Sequence, residues 1–239
     1  MENFYCTVRK NVPEITTTLK SDTILVPRAI SEATGIRFYG KRIKSLIFTT
    51  DIAIIMNNNA DAILAVYPFT PHPSIMRAIM SVSQMPVFAG VGGGTTGGER
   101  CAQMGIFAES NGALAVVVNS PTTTDTMKML RKIVDCPIVY TVISKYTDIK
   151  ERLDAGANVL NVSGGKETAE IVRKIRRDFK DVPIIATGGD TDEDIYEVIS
   201  AGANAVSYTP PTNGELFRKK MDKYRELDEK RHHELEAQS

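Results

Sequence analysis

Short apolar runs recur along this chain at a nearly regular spacing, and this spacing constrains the fold more than any other feature. The runs are rich in Val, Ile and Ala, are continuous rather than alternating, and begin 17 to 27 residues apart. Continuous apolar runs are typical of strands that are covered on both faces. The runs lie at Ser45–Asp51, Ala62–Pro68, Pro86–Gly93, Ala113–Ser120, Pro137–Ser144, Asn158–Gly165, Pro183–Asp190 and Asn204–Pro211.

Helix-length segments fill most of the gaps between these runs. They lie at Pro73–Ser83, Gly98–Ser110, Thr124–Val134, Asp148–Ala155, Glu167–Phe179 and Thr191–Ala201. The alternation of strand and helix predicts right-handed β/α units around a parallel sheet. Because an open sheet rarely needs eight parallel strands, the pattern favours a closed (β/α)8 barrel over an open doubly wound sheet.

A finer repeat marks where the strands begin. Four strands follow an alanine-rich lead, and three intervening strands start with an apolar residue and a proline. The leads are Asn59–Ala62, Asn111–Leu114, Ala155–Asn158 and Ala201–Asn204, and the proline entries are Met85–Pro86, Cys136–Pro137 and Val182–Pro183. Glycine can end a helix and proline is tolerated at a strand's first residue, so the alternation indicates repeated double units of two β/α modules.

Two paired-glycine turns predict a ligand site. Gly164-Gly165 and Gly188-Gly189 each follow an apolar run and precede a helix-like segment, 24 residues apart. Glycine pairs let backbone N–H groups approach a phosphate or carboxylate, and a helix N-terminus behind them favours negative charge. Candidate supporting groups are the hydroxyls of Ser163 and Thr187 and the charge of Lys166. Alternatively, the glycines only supply the positive φ angles of two tight turns.

The lead Ala155–Asn158 is followed by a strand and Gly164-Gly165, and the proline entry Val182–Pro183 is followed by a strand and Ala186–Gly189. This pattern resembles the aldolase-type, phosphate-binding TIM barrels. Within that group the pattern is similar to glycerol-3-phosphate-responsive antiterminators and to sugar-phosphate isomerases and lyases. The resemblance covers residues 45–225 and implies an active site at the carboxyl ends of the strands. The eighth run ends in Tyr208–Gly214 without the glycine turn usual there. The anion is therefore expected one unit earlier than usual, or the ligand is a carboxylate.

The segments flanking the barrel are predicted to belong to the same single domain. Residues 1–44 form an N-terminal extension in which Pro13–Lys20 and Pro27–Gly35 suggest two short helices that cover the barrel bottom or one edge. At the other end, apolar positions from Glu215 onward predict a closing helix. A charged tail at 226–239 follows it and is expected to be solvated or frayed.

Three residues near strand ends are candidate catalytic groups: Asp51, Lys145 and Glu99. Asp51 ends the first strand, where related barrels often place a carboxylate base, although it serves equally well as a helix N-cap. Lys145 would act as an acid or orient an anion, or would simply be an exposed loop lysine. Glu99 would be carried into the site by closure of the preceding loop. Asn119, Asn161 and Tyr208 are further candidates for binding substrate hydroxyls.

The third strand ends in a segment, residues 90–98, with six glycines in nine positions. A mobile lid over the substrate is one interpretation, and a flexible exposed loop is the other. The lid residues would be Gly92, Gly93, Gly94, Gly97 and Gly98. The glycine spacing does not fit a dinucleotide fingerprint.

Composition narrows the function classes. Lys plus Arg and Asp plus Glu both number 29, a balance that argues against a broad nucleic-acid surface. Three scattered cysteines make a poor disulfide framework, and no apolar run reaches membrane-spanning length. We therefore expect a cytoplasmic protein with reduced thiols, no cofactor and no metal. Its partner is expected to be a small anionic metabolite, and a homodimer is the default assembly. The leading hypothesis is a lyase, isomerase or hydrolase of such a metabolite, and the alternative is a non-catalytic metabolite sensor.

Overall fold

The computed structural model describes residues 13–236, and its centre is a closed barrel of eight parallel strands. The strands are β3 (Ser45–Phe48), β4 (Ala62–Ala65), β5 (Val87–Gly92), β6 (Ala115–Asn119), β7 (Ile138–Val142), β8 (Val159–Val162), β9 (Ile184–Thr187) and β10 (Ala205–Tyr208). Each strand pairs with its neighbour in sequence, and β10 closes the barrel against β3. The predicted (β/α)8 architecture is confirmed.

Helices follow the barrel strands on the outside. They are α1 (Ile52–Met56), α2 (Pro73–Val82), α3 (Gly98–Ser110), α4 (Thr124–Ile133), α5 (Ile149–Asp154), α6 (Thr168–Asp178), α7 (Asp192–Ser200) and α8 (Asn213–Glu236). Helices α2 to α7 lie where helix-length segments were predicted. Several begin with a side-chain cap, such as Thr123 on α4 and the capping box of Thr191 and Asp194 on α7.

Strand residues alternate between the barrel interior and the layer beneath the helices. On β7, Val139 packs with the interior cluster, whereas Ile138 and Tyr140 pack with residues of the surrounding helices. The interior cluster is apolar and includes Leu46, Ala62, Leu64, Phe88, Ala115, Val117, Val159, Ile185 and Ala205. Since side chains alternate with a period of two, this phase determines which residues at the carboxyl ends of the strands face the barrel axis.

The double-unit repeat has a specific structural basis. Asn158 Oδ1 accepts hydrogen bonds from Ile138 N (2.9 Å) and from Arg131 (3.2 Å), and so links a strand entry to the neighbouring strand and helix. Asn204 makes the equivalent bonds one double unit later, to Ile184 N (3.0 Å) and to Arg176 (2.9 Å). The glycine of each lead leaves room for the arginine, because a Cβ on Gly156 would lie 2.7 Å from Arg131 Cγ.

A β-hairpin closes the amino end of the barrel. Strands β1 (Ile36–Phe38) and β2 (Lys41–Ile43) are antiparallel and joined at Tyr39 and Gly40, whose φ angles are 48° and 86°. Two positive φ angles are typical of the tight turn that suits hairpin twist. The Phe38 ring lies edge-on to the Phe88 ring, with 5.1 Å between centroids. The hairpin therefore forms the floor of the interior core.

The prediction of two short helices in the N-terminal extension was wrong in extent. Pro13–Lys20 contains only a 3-10 turn at Thr18–Lys20, and the second segment has a 3-10 turn at Arg28–Glu32 that packs against α7. The bottom is covered by the hairpin instead. Strands of three residues that include charged side chains are too short to be predicted from the apolar pattern of the sequence.

Helix α8 is one continuous helix of 24 residues, and none of its residues is buried. The helix continues through the predicted charged tail to Glu236, and residues 226–236 are exposed, as expected for a solvated rather than a frayed segment. An ion pair between Lys220 and Asp22 ties its first half to the N-terminal segment. No helix in the part of the chain that the structure describes is long and apolar enough to cross a membrane.

Candidate functional site

A cavity of about 190 Å3 lies at the carboxyl end of the barrel, and we call it the mouth cavity. It lies where the strands end and the loops begin, which is the face that carries the active site in barrels of this architecture. The mouth cavity is lined by Phe48, Leu64, Val66, Asn119, Thr141, Asn161, Ser163, Thr187, Ser207 and Thr209. Seven of the eight strands or the loops directly after them contribute, and every lining side chain is uncharged.

Three neighbouring strands place a hydrogen-bonded row of side chains in this cavity. Asn119, Thr141 and Asn161 are direct partners in the register of β6, β7 and β8. Thr141 Oγ1 donates to Asn119 Oδ1 at 2.8 Å, and Asn161 Nδ2 donates to Thr141 Oγ1 at 3.3 Å. The row forms because all three residues face inward at the same height of the barrel.

Four of the predicted binding residues meet here: Asn119, Asn161, Ser163 and Thr187. Sequence reasoning missed the hydroxyls of Thr141, Ser207 and Thr209, which line the same cavity. The signal that would have found two of them is the period of two, because Thr141 and Ser207 are the polar inward positions of otherwise apolar strands. The binding roles of Asn119, Asn161, Ser163 and Thr187 remain predictions.

The paired-glycine turns prove to be internally bonded at their first glycines. The N–H of Gly164 donates to Thr168 Oγ1 at 3.0 Å, and the N–H of Gly188 donates to the carbonyl of Ser207 at 3.0 Å. Both positions are also tightly packed, since a Cβ on Gly164 would lie 2.3 Å from Ile171 Cδ1. These two N–H groups are therefore not directed at a ligand.

The second glycines are different. Gly165 and Gly189 have φ angles of 59° and 75°, and no hydrogen bond from either N–H is found among residues 13–236. Lys166 is exposed beside Gly165. Anion binding at these turns stays a prediction, and the backbone donors left for it are the N–H groups of Gly165 and Gly189, beside the charge of Lys166.

Tyr208 points away from the mouth cavity. Its side chain packs against the apolar layer beneath the helices and borders a cleft of about 590 Å3. The cleft is also lined by Arg218, Lys219, Asp190 and Glu215. Burial, and then the charge of Asp190, raise the pKa of the Tyr208 phenol. Thr209 lines both the cleft and the mouth cavity, so the two spaces adjoin at the end of β10.

None of the three candidate catalytic side chains is among the residues lining the mouth cavity. Asp51 is the N-cap of α1, and its Oδ1 accepts from the N–H groups of Ala53 (2.8 Å) and Ile54 (3.3 Å). Glu99 is exposed in the first turn of α3. A catalytic role for either group requires a ligand that extends over the rim, and it remains a prediction.

Lys145 lies on the outside of the barrel, in an ion pair with Glu167 at 2.8 Å and within 3.5 Å of Glu170. The hydrogen bond to Glu167, with the charges of both carboxylates, raises the pKa of Lys145. A lysine with a raised pKa stays protonated at neutral pH and keeps its positive charge. The predicted roles of Lys145, as an acid or as a group that orients an anion, remain predictions.

The glycine-rich segment after β5 forms a closed turn. Gly93 and Thr96 exchange backbone hydrogen bonds of 3.0 and 2.9 Å, and the N–H of Gly98 donates to Thr126 Oγ1 at 2.9 Å. Two of the glycines have packing reasons, because a Cβ on Gly92 would lie 2.4 Å from Cys101 Sγ and one on Gly93 would lie 2.9 Å from Asn119 Cβ. The segment thus supports Asn119, and whether it also opens as a lid is still a prediction.

The described residues contain no group of three or more His, Cys, Asp or Glu side chains arranged to hold a metal ion. The two cysteines among them, Cys101 and Cys136, are free and buried. Burial raises the pKa of the Cys101 thiol to about 11. For Cys136, burial and the nearby carboxylate of Glu109 raise the pKa to about 12. Cys6 lies outside the described residues.

Comparison with known proteins supports the fold and leaves the family open. No protein-family model matches the chain, and no curated protein is similar to it at a significant level. Among solved structures, 2,3-dimethylmalate lyase, a member of the PEP mutase/isocitrate lyase superfamily, has a TM-score of 0.59 at 15% identity and covers 84% of this chain and 86% of its own.

Two other solved structures are similar. Phosphonopyruvate hydrolase, solved with oxalate and Mg2+, has a TM-score of 0.57 at 14% identity and covers 81% of this chain and 83% of its own. Dihydrodipicolinate synthase has a TM-score of 0.54 at 19% identity, with 70% coverage of both chains. The chain therefore has a TIM-barrel fold. Its structural neighbours are lyases, mutases and aldolases, and at these identities the likeness concerns the fold.

Proposed function

We propose that this chain is an enzyme of small-molecule metabolism that acts on an anionic, hydroxyl-bearing metabolite by lyase, isomerase or hydrolase chemistry. The observation that carries the proposal is the polar layer of amides and hydroxyls at the carboxyl ends of the strands, above an otherwise apolar interior. Polar groups converging in a concave site fix the orientation of a small ligand. Two structural neighbours, a lyase and a hydrolase, agree with this class.

The anionic end of the ligand would lie at the rim, because the mouth cavity has no cationic lining. Arg218 and Lys219 line the adjoining cleft together with Asp190 and Glu215, and Thr209 lines both the cleft and the mouth cavity. A phosphate or carboxylate that contacts the two cations directly gains charge-assisted hydrogen bonds from them, although the two carboxylates of the cleft oppose it. Gly165 and Gly189 provide the alternative anion site on the same rim.

A non-catalytic metabolite sensor is the second candidate, and one observation favours it. No side chain lining the mouth cavity can donate or accept a proton near neutral pH, since all are amides, hydroxyls or apolar groups. Catalysis would need Asp51 or Glu99 at the rim, whereas binding needs neither. The protein in either role would be a cytoplasmic one, with a homodimer as the default assembly.

A thermal-shift series tests binding. Inorganic phosphate, glycerol 3-phosphate, dihydroxyacetone phosphate and pyruvate are the probes, and a ligand held by the native state raises Tm by mass action. Arg218→Ala/Lys219→Ala is expected to reduce the shift. Its matched control is Lys230→Ala/Arg231→Ala on the exposed second half of α8, which should leave it unchanged. A shift reduced only by Gly165→Ala would transfer the anion site to the glycine turn, and no shift from any probe would reject the proposal.

Turnover separates the two candidate functions. A ligand found in the screen is incubated with the wild-type protein and with Asp51→Asn, and product is followed by NMR. Conversion by the wild type that is lost in Asp51→Asn while binding persists supports the enzyme. Binding without conversion by the wild type supports the sensor.

A further inference from the structure

Asn161 is the most unusual polar residue of the mouth cavity. It lies on β8 with 6% of its surface exposed, and its Oδ1 is buried without a hydrogen-bond partner among residues 13–236. A buried acceptor without a partner destabilises the folded state, because it has lost its hydrogen bonds to water. A bound water or a ligand is one way in which such a group is satisfied.

The direction of the hydrogen-bonded row explains why this oxygen is left over. The Thr141 hydroxyl has one proton, which it donates to Asn119 Oδ1 at 2.8 Å. Thr141 Oγ1 can therefore only accept from Asn161, whose Nδ2 lies 3.3 Å away. Asn161 then uses one amide proton on Thr141, and its carbonyl oxygen is the acceptor left without a partner on a side chain that lines the cavity.

The surroundings specify what kind of donor fits. An ammonium group would lose its hydration in a cavity whose lining side chains offer no negative charge, and that loss is costly. A neutral O–H group avoids this cost. Ser163, Thr187 and Ser207 line the same cavity and can donate to or accept from further hydroxyls.

The size of the cavity limits the ligand portion that enters it. The volume of about 190 Å3 corresponds to roughly six water molecules at about 30 Å3 each. A carbon chain of a few atoms with its hydroxyls fits this space. Phe48, Leu64 and Val66 supply the apolar contacts for its carbon atoms.

We propose that the mouth cavity is a hydroxyl-selective subsite, in which one hydroxyl of a short, uncharged polyol segment donates to Asn161 Oδ1. The inference rests on the proposed function for the rest of the ligand, the anionic group at the rim. It adds that the substrate class is a hydroxylated one, such as a phosphorylated polyol, rather than a deoxy or amino compound.

Binding of four probes by isothermal titration calorimetry separates the two proposals. The probes are glycerol and propane-1,3-diol, which differ by the secondary hydroxyl, and the monophosphate of each. The compound with the extra hydroxyl is expected to bind about 10- to 100-fold more tightly within each pair. Equal affinity within both pairs would overturn the subsite. A preference seen in both pairs but with no gain from phosphate would uphold the subsite and reject the anionic ligand class.

Substitutions at Asn161 test the assignment directly. Asn161→Leu keeps the branched shape without an acceptor and is expected to abolish the hydroxyl preference, whereas Asn161→Asp retains an acceptor and should keep a preference. Asn213→Leu, at the exposed start of α8, is the matched control and should bind as the wild type does. A hydroxyl preference that survives in Asn161→Leu would overturn the assignment of Asn161.

A high-resolution crystal structure without ligand provides a readout that is independent of every probe. An ordered water within about 3.2 Å of Asn161 Oδ1 is the expected result, because a polar cavity of this size holds water at such an acceptor. A protein donor bonded to Oδ1, or an oxygen with no water, would overturn the proposal. If none of the four probes binds, the presence or absence of this water decides whether the proposed subsite is upheld.

Discussion

Asn161 Nδ2 lies 3.3 Å from Thr141 Oγ1, on adjacent strands of the barrel, and this hydrogen bond organises the mouth cavity. The Thr141 hydroxyl donates a hydrogen bond to Asn119 Oδ1, so that three strands are joined by side chains as well as by backbone. With the Asn161 amide nitrogen bonded to Thr141, its carbonyl oxygen has no hydrogen-bond partner among residues 13–236. The proposed hydroxyl subsite therefore depends on the same threonine that joins the strands.

Replacing Thr141 is expected to weaken the fold measurably. Thr141→Val keeps the shape but leaves two amides without their bond, and we expect the free energy of unfolding to fall by about 1 to 3 kcal/mol. Thr141→Ser retains the hydroxyl and should lose less. Urea denaturation measures both. A valine variant that unfolds at the wild-type urea concentration would contradict a stabilising role for the row.

Gly164 is predicted to be a packing glycine. A Cβ there would lie 2.3 Å from Ile171 Cδ1, so Gly164→Ala should cost about 1 to 3 kcal/mol through overpacking. Ile171→Val removes that methyl group, and the double variant should recover part of the loss in a double-mutant cycle. Gly165→Ala meets no atom within 4 Å and suffers only from its φ of 59°, so Ile171→Val should not rescue it. Rescue of both, or of neither, would show that packing is not the reason for Gly164.

The structural role of Asp51 as the N-cap of α1 can be separated experimentally from its predicted chemical role as a base. Asp51→Asn retains a good N-cap for α1, whereas Asp51→Ala removes the acceptor for two backbone N–H groups and should cost about 0.5 to 2 kcal/mol. Thermal unfolding of the two variants checks this difference. If Asp51 is also the base, both variants should lose turnover alike, although only the alanine variant is destabilised. Equal stability of all three proteins would argue that the cap contributes nothing.

The hairpin floor should matter for stability and not for binding. Phe38 is buried against Phe88, so Phe38→Ala is expected to cost about 3 to 5 kcal/mol by leaving a cavity. Tyr39, with 75% of its surface exposed, is the neighbouring control, and Tyr39→Asn should be tolerated because asparagine accepts its positive φ. Ligand affinity of the folded Phe38→Ala protein is expected to equal that of the wild type. A selective loss of affinity would mean that floor and mouth are coupled.

The buried thiols are predicted to resist alkylation. With a pKa of about 11, Cys101 is almost entirely protonated at pH 8, and the thiolate is the reactive form. Iodoacetamide labelling followed by mass spectrometry should therefore be slow at Cys101 in the native protein and fast in urea. Labelling of native Cys101 at the rate of a small free thiol would indicate that the barrel opens locally around α3.

The barrel and several of the polar residues that line the mouth cavity could be predicted from the sequence, for identifiable reasons. Continuous apolar strands, glycine-ended helices and proline entries recur at a period set by the β/α unit, and each is local in sequence. Asn119 and Asn161 were found because each is a polar end on an apolar strand. Thr141 and Ser207 were missed since a hydroxyl within a strand has no distinctive signal until the inward phase is known.

The glycine turns and the N-terminal hairpin illustrate the limit of local patterns. From sequence, Gly164 and Gly165 are equivalent, yet Ile171 packs against the first and nothing lies within 4 Å of a Cβ on the second. The hairpin is defined by Phe38 meeting Phe88, a contact between residues far apart in the chain.

By itself, the sequence determined the number, order and type of the barrel units, because strand and helix periodicity is a property of consecutive residues. The tertiary structure alone decided which polar side chains converge. Barrel closure and strand register bring Asn119, Thr141 and Asn161 side by side and place Asp51, Glu99 and Lys145 outside the cavity lining. Which hydrogen-bonding atom remains unsatisfied is settled only when every neighbour is in place.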